Sequence, residues 1–117
     1  MARSVEEKRK YLRLNSALEI EYIIPQTNKV YNATTKDISA SGLKFEAPEK
    51  LSDGIILEIK LKIPRAQNAI HANGRVAWSN KTDGENDSGF DVGIEFMKID
   101  EDNKNTFLKY LCDLIYG

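Results

Sequence analysis

Two short clusters in this chain hold side chains able to grip a phosphorylated nucleotide. The first is Arg9-Lys10-Tyr11-Leu12-Arg13, two arginines four residues apart with Lys8 just ahead of them. The second is Asp37-Ile38-Ser39-Ala40-Ser41-Gly42. A guanidinium presents a planar fork of donors that matches phosphate oxygens and the O6/N7 edge of guanine, and its flat face stacks on a base. Two arginines in one arm can therefore hold the phosphate and the base of one nucleotide. Asp37 can accept from guanine N1 or N2, or brace an arginine; Ser39 can donate to phosphate or accept from an amine. Gly42 permits a positive φ and close approach of a ligand to the backbone. Each cluster has a plainer reading beside this one. Basic residues near an N-terminus are usually just solvated, and Asp-x-Ser-x-x-Gly is an ordinary turn in which Asp and Ser bond nearby amides.

Other reactive chemistry is sparse. The chain has one cysteine, Cys112, which excludes an internal disulfide and a multi-cysteine zinc site. Cys112 falls in an apolar helical pattern and is expected to be a buried structural thiol. The one histidine, His71, has no second histidine to complete a common metal site and no nucleophile to partner it. No acidic-histidine metal cluster accompanies the basic arm, so the expectation is a protein that is not an enzyme and needs no cofactor. Formal net charge is −1, which argues against a general nucleic-acid binder. Charge is unevenly spread: residues 1–13 carry five cations against two carboxylates, and residues 83–102 carry eight carboxylates against one lysine. A basic arm on an acidic body suits a small anionic ligand better than a long polyanion.

These groups need a frame, and the hydrophobic pattern supplies one. At 117 residues the chain suits one domain spanning 1–117. No apolar run approaches the roughly 20 residues of a membrane helix, and the first residues lack a signal peptide's apolar stretch. A cytoplasmic protein without membrane insertion is expected. Leu18, Ile20 and Tyr22 alternate with Glu19 and Glu21 as a half-buried strand, closed by Pro25-Gln26-Thr27-Asn28. Val30 to Ile38 reads as a second strand, and Leu43, Phe45 and Ala47 mark a third. Leu57, Ile59, Leu61 and Ile63 share one face of a fourth, ended by Pro64; Ala69 to Trp78 is a fifth, with Gly74 as a candidate bulge; Phe90 to Phe96 is a sixth. The period then changes: Phe107, Leu111 and Leu114 lie at helical spacing behind Asp100 as N-cap. The fold class is all-β with a terminal helix, a six-stranded antiparallel β-barrel. Its expected parts are a flexible basic arm (1–13), the barrel (14–98) and a helix (100–116) that covers one opening.

With the motifs in this frame, the sequence resembles the PilZ domain family. The family pattern is Arg-x-x-x-Arg, a strand, then Asp or Asn-x-Ser-x-x-Gly; here Arg9, Arg13, Asp37, Ser39 and Gly42 complete it in order. Gly42-Leu43-Lys44-Phe45, Gly74-Arg75-Val76-Ala77-Trp78 and Val92-Gly93-Ile94-Glu95-Phe96 resemble the family's third, fifth and sixth strands. The resemblance implies a receptor for the second messenger cyclic di-GMP, bound on the outside of the barrel. It implies that Arg9 and Arg13 contact phosphate and guanine, and that Asp37, Ser39 and Gly42 contact guanine and the sugar-phosphate ring. Lys8 and Lys10 flank them as further phosphate contacts. Trp78 matches a position that lies beside the ligand in some members; a half-buried barrel tryptophan is the alternative. The implied partner is another protein, such as a flagellar motor component or exopolysaccharide machinery, and not DNA. Residues 3–13 are expected to gain order when ligand binds. Two readings from other classes stay open: a small-barrel binder of nucleic acid using the same arginines, and an interaction module without a ligand.

Overall fold

The computed structural model describes residues 13–64, 66–82 and 89–116. Among the described residues seven strands precede one helix: β1 (Leu14–Asn15), β2 (Glu19–Ile24), β3 (Lys29–Ile38), β4 (Gly42–Ala47), β5 (Ile56–Leu61), β6 (Ile70–Lys81), β7 (Phe90–Ile99) and α1 (Glu101–Tyr116). Every pairing is antiparallel, and the order β3-β2-β5-β6-β7-β4 closes on itself through a β3–β4 pairing. The result is a six-stranded barrel in which no strand is left as an open edge.

The seventh strand was not expected. β1 pairs with the end of β3, Leu14 opposite Ile38 and Asn15 opposite Asp37, on the side where β2 pairs further back. β1 and β2 are thus one barrel stave broken at Ser16–Leu18. Thr35, buried at 3% exposure, bridges the break. Its Oγ1 accepts from the Leu18 amide at 2.9 Å and donates to the Ser16 carbonyl, while its own amide donates to the Leu18 carbonyl at 2.9 Å. Backbone groups that a kink would orphan are satisfied by one hydroxyl. The break follows from small, mostly polar residues, Asn15-Ser16-Ala17, which carry no apolar alternation for the sequence pattern to register.

The strand interiors alternate as the sequence indicates. Ile20 and Tyr22, Leu43 and Phe45, Leu57, Ile59 and Leu61, Ile70 and Val76, and Val92 and Ile94 all point into the barrel and are nearly inaccessible. Tyr22 stacks on Tyr31 with ring centroids 5.1 Å apart and packs against Phe45 at 4.8 Å. Burial pushes the Tyr22 phenol up to about 12, and the nearby Tyr31 and Glu49 add to the shift. Register shifts occur in three places, between Thr35 and Asp37, at Asn73/Gly74, and between Val76 and Trp78. Gly74 lies opposite the irregularity but is not itself the bulged residue: Asn73 pairs with Lys98 and Gly74 with Phe96, so the extra residue is Met97 on β7. Gly74 is instead a crowded inward position, where a Cβ would lie 2.3 Å from the Ile94 side chain.

Helix α1 follows Asp100 directly. Phe107 and Leu111 enter the core, Phe96 meets Phe107 edge to face at 5.5 Å, and Tyr110 Oη lies 2.7 Å from Ser16 Oγ. Cys112 is exposed, not buried as its pattern implies. A helix lying on a barrel buries a narrow stripe; Cys112 is turned by about 100° from Leu111, and Leu108 and Ile115 beside it are exposed too. Among the described residues no helix is long and apolar enough to cross a membrane.

Candidate functional site

The Asp37–Gly42 cluster folds as a corner between β3 and β4. The bulge between Thr35 and Asp37 puts Lys36 and Asp37 side by side on the outer surface while Thr35 and Ile38 stay inside. Asp37 is only 13% exposed in its side chain and holds two cations: Arg13 Nη1 donates to Oδ1 at 2.7 Å, and Lys44 Nζ lies 3.5 Å from Oδ2. Of the two roles open to Asp37, the bracing of an arginine is the one seen. Arg13, expected within a flexible arm, is therefore already tied to the barrel immediately before β1. Arg9, Lys8 and Lys10 lie outside the described residues.

Ser39 and Gly42 build the corner. The Ser39 amide donates to the Gly42 carbonyl at 2.8 Å, and Ser39 Oγ accepts from the Ser41 amide at 3.2 Å. At 1% exposure the Ser39 hydroxyl is used up inside the turn, so the hydroxyl presented outward is that of Ser41. Gly42 departs from expectation as well. Among the described residues the positive-φ glycine is Gly54, at 90°; Gly42 has ordinary strand geometry. It is glycine because β7 crosses tightly there: a Cβ would sit 1.9 Å from the Ile94 carbonyl oxygen. The turn is clamped from the same side, the Phe96 amide donating to the Ser41 carbonyl at 2.8 Å.

Beside this corner runs an open groove of about 230 Å³, lined by Arg13 and Ser41 on one side and by Arg75, Ala77, Trp78, Gly93, Ile94 and Glu95 on the other. The bulge after Val76 turns both Ala77 and Trp78 outward. Trp78 is 36% exposed and lies on the backbone of its register partner Gly93, where a Cβ would meet the indole at 2.3 Å. Trp78 is thus an outer-surface residue supported from below by a glycine. Arg75 and Glu95 pair across β6 and β7 within the same groove. Ser41, Arg75, Gly93 and Glu95 were not singled out as site residues. The signal that could have found Gly93 and Glu95 is register, since they are the residues opposite Trp78 and Arg75 on the antiparallel partner and share their face.

Further ion pairs lie on the outer surface. Lys36 Nζ lies 2.6 Å from Asp91 Oδ1, and that hydrogen bond raises the lysine's pKa, against the opposing effect of desolvation. Lys60 lies 3.6 Å from Glu21. No group of three or more metal-ligating side chains occurs among the described residues.

A fork of donors braced by a carboxylate, a presented hydroxyl and a flat indole at the side make a surface suited to a base and a phosphate. The family model of the PilZ domain matches residues 7–112. This chain belongs to the PilZ domain family. Among solved structures, the PilZ domain of YcgR from Escherichia coli with c-di-GMP matches with a TM-score of 0.69 at 14% identity, covering 92% of this chain and 91% of that one. MrkH of K. pneumonia matches with a TM-score of 0.74 at 19% identity over 89% of this chain, and the Bacillus subtilis inhibitor of motility MotI with 0.69 at 18% over 87%. This PilZ chain spans about half the length of MrkH and MotI, 48% of each. Another MrkH structure is described as a c-di-GMP-dependent transcription regulatory factor. No curated protein matches the sequence.

Proposed function

We propose that this PilZ domain is a cytoplasmic receptor for cyclic di-GMP, without catalytic activity, that signals to a separate protein in motility or biofilm formation. The observation that carries the reading is the Arg13–Asp37 pair set beside Ser41 and Trp78 at one groove. Arg13 offers its fork to phosphate or guanine, with Asp37 fixing its direction and available to a guanine N–H donor. Arg9, Lys8 and Lys10 extend the positive charge from the preceding arm. Ser39 and Gly42 act by shaping the corner, and Trp78 offers its face to a base. Binding joins the arm to the barrel surface, and a partner protein reads the joined surface.

Calorimetry with cyclic di-GMP, cyclic di-AMP and a single-stranded oligonucleotide tests this. Binding to cyclic di-GMP alone is expected, because donors and acceptors matched to guanine are left unpaired by adenine. Arg13→Ala and Asp37→Ala are each expected to weaken binding at least about tenfold, the scale of a charge-assisted contact. Equal affinity for the two dinucleotides, or binding of the oligonucleotide alone, overturns the proposal.

A further inference from the structure

The arm-and-corner account leaves one ion pair of the groove without a role. Arg75 on β6 and Glu95 on β7 are direct register partners, and Arg75 Nη2 donates to Glu95 Oε1. Their side chains are 44% and 52% exposed, so the pair adds little to the stability of the barrel. Its position is more informative. Among the described residues the cations lining the groove are Arg13 and Arg75, and the carboxylate lining it is Glu95. Lys36 and Lys44, nearby on the same surface, are held by Asp91 and Asp37 and do not line it. An anion entering the groove therefore meets Arg75 already neutralised and faces the carboxylate that neutralises it.

We infer that Arg75 is a second phosphate-binding arginine and that Glu95 sets the affinity of the site by competing for it. The inference rests on the receptor reading above. On binding, the guanidinium of Arg75 exchanges the Glu95 carboxylate for a phosphate oxygen, one charge-assisted bond for another. Glu95 is half exposed, so water takes over its lost partner at small cost. The exchange is close to balanced, which tempers affinity without blocking the site. Arg75 already lines the groove, so its side chain reaches a ligand there without a backbone movement.

The test is calorimetry of cyclic di-GMP with wild type, Arg75→Ala, Glu95→Gln and the double variant, each also followed by thermal unfolding. Arg75→Ala is expected to weaken binding about tenfold, as for loss of a charge-assisted contact. Glu95→Gln is expected to tighten it about threefold or more by removing the competitor, and that gain shrinks when Arg75 is already alanine. Unfolding midpoints stay close to wild type in all three. If Arg75→Ala and Glu95→Gln both bind like wild type, the pair is a surface bridge and the inference fails. If both weaken binding equally, the pair acts as a fixed unit, and competition is again overturned. If wild type itself does not bind cyclic di-GMP, the receptor reading fails and takes this inference with it.

Discussion

The two walls of the groove are built in different ways. The wall of Asp37 and Ser41 is local, a bulge and a tight turn within one short run of chain, to which a single ion pair ties Arg13 from 24 residues before Asp37. The wall of Arg75, Trp78, Gly93 and Glu95 exists only because β6 and β7 meet in one register, displaced by a bulge after Val76. A local wall announces itself as a motif, whereas a register wall is invisible until the strands are paired. The local wall nevertheless depends on the other side of the barrel, since Gly42 and Ser41 are seated against the backbone of β7.

That dependence gives the largest expected effect. Gly42→Val drives a side chain into the Ile94 carbonyl and must separate β4 from β7. We expect a loss of about 3 kcal/mol or more in urea unfolding, the upper range for overpacking. Wild-type stability in this variant would show that the two walls are not in close contact. Thr35→Val, which removes the hydroxyl that bridges β1 and β2, is expected to cost about 1–3 kcal/mol for buried groups left unpaired. It also lowers protection of the Leu18 amide in hydrogen exchange. Gly93→Ala acts on the register wall and is milder, about 1 kcal/mol, because the indole it displaces can swing outward. Trp78 is the only tryptophan, so its emission reports the change directly, moving to longer wavelength as the ring becomes wetter.

The barrel interior supplies a contrast in pH response. An unfolded Tyr22 phenol ionises near 10 and the folded one near 12, so the folded state is held below pH 10 and loses stability as pH rises toward 12. Urea midpoints at pH 9 and pH 11.5 should show this fall, and Tyr22→Phe should reduce it. The smallest effect belongs to the outer surface: Lys36→Ala removes an exposed pair with Asp91 and should change stability by no more than about 0.5 kcal/mol.

Much of this fold was readable in the residues. Most of the barrel strands carry apolar alternation on one face (β3, with Thr35 inward and Val30 exposed, does not), and the helix changes period, so Leu57, Ile59 and Leu61 or Phe107 and Leu111 could be assigned inward positions before any contact was known. What could not be read depends on partners distant in sequence. Gly42 looks like a turn glycine until Ile94 is placed against it. Cys112 looks buried until the helix is laid on the barrel and its contact stripe proves narrow. Ser39 and Ser41 are indistinguishable as hydroxyls until the turn places one inside and the other at the groove.

The anchoring of Arg13 has a geometric consequence for the arginine that precedes it. Leu14 and Asn15 are zipped to β3, and Arg13 is moored to Asp37, so the chain enters the site from a fixed point. Four residues of fully extended chain reach about 14 Å, so covalent connection alone confines Arg9 to a small sphere around the groove. In the receptor proposed above, Arg9 would then act as a tethered second phosphate-binding group at a high effective concentration rather than as one that must be found by diffusion. On that proposal, inserting a flexible segment between Arg9 and Arg13 dilutes the tether and is expected to weaken cyclic di-GMP binding in calorimetry while leaving the barrel's own contacts unchanged.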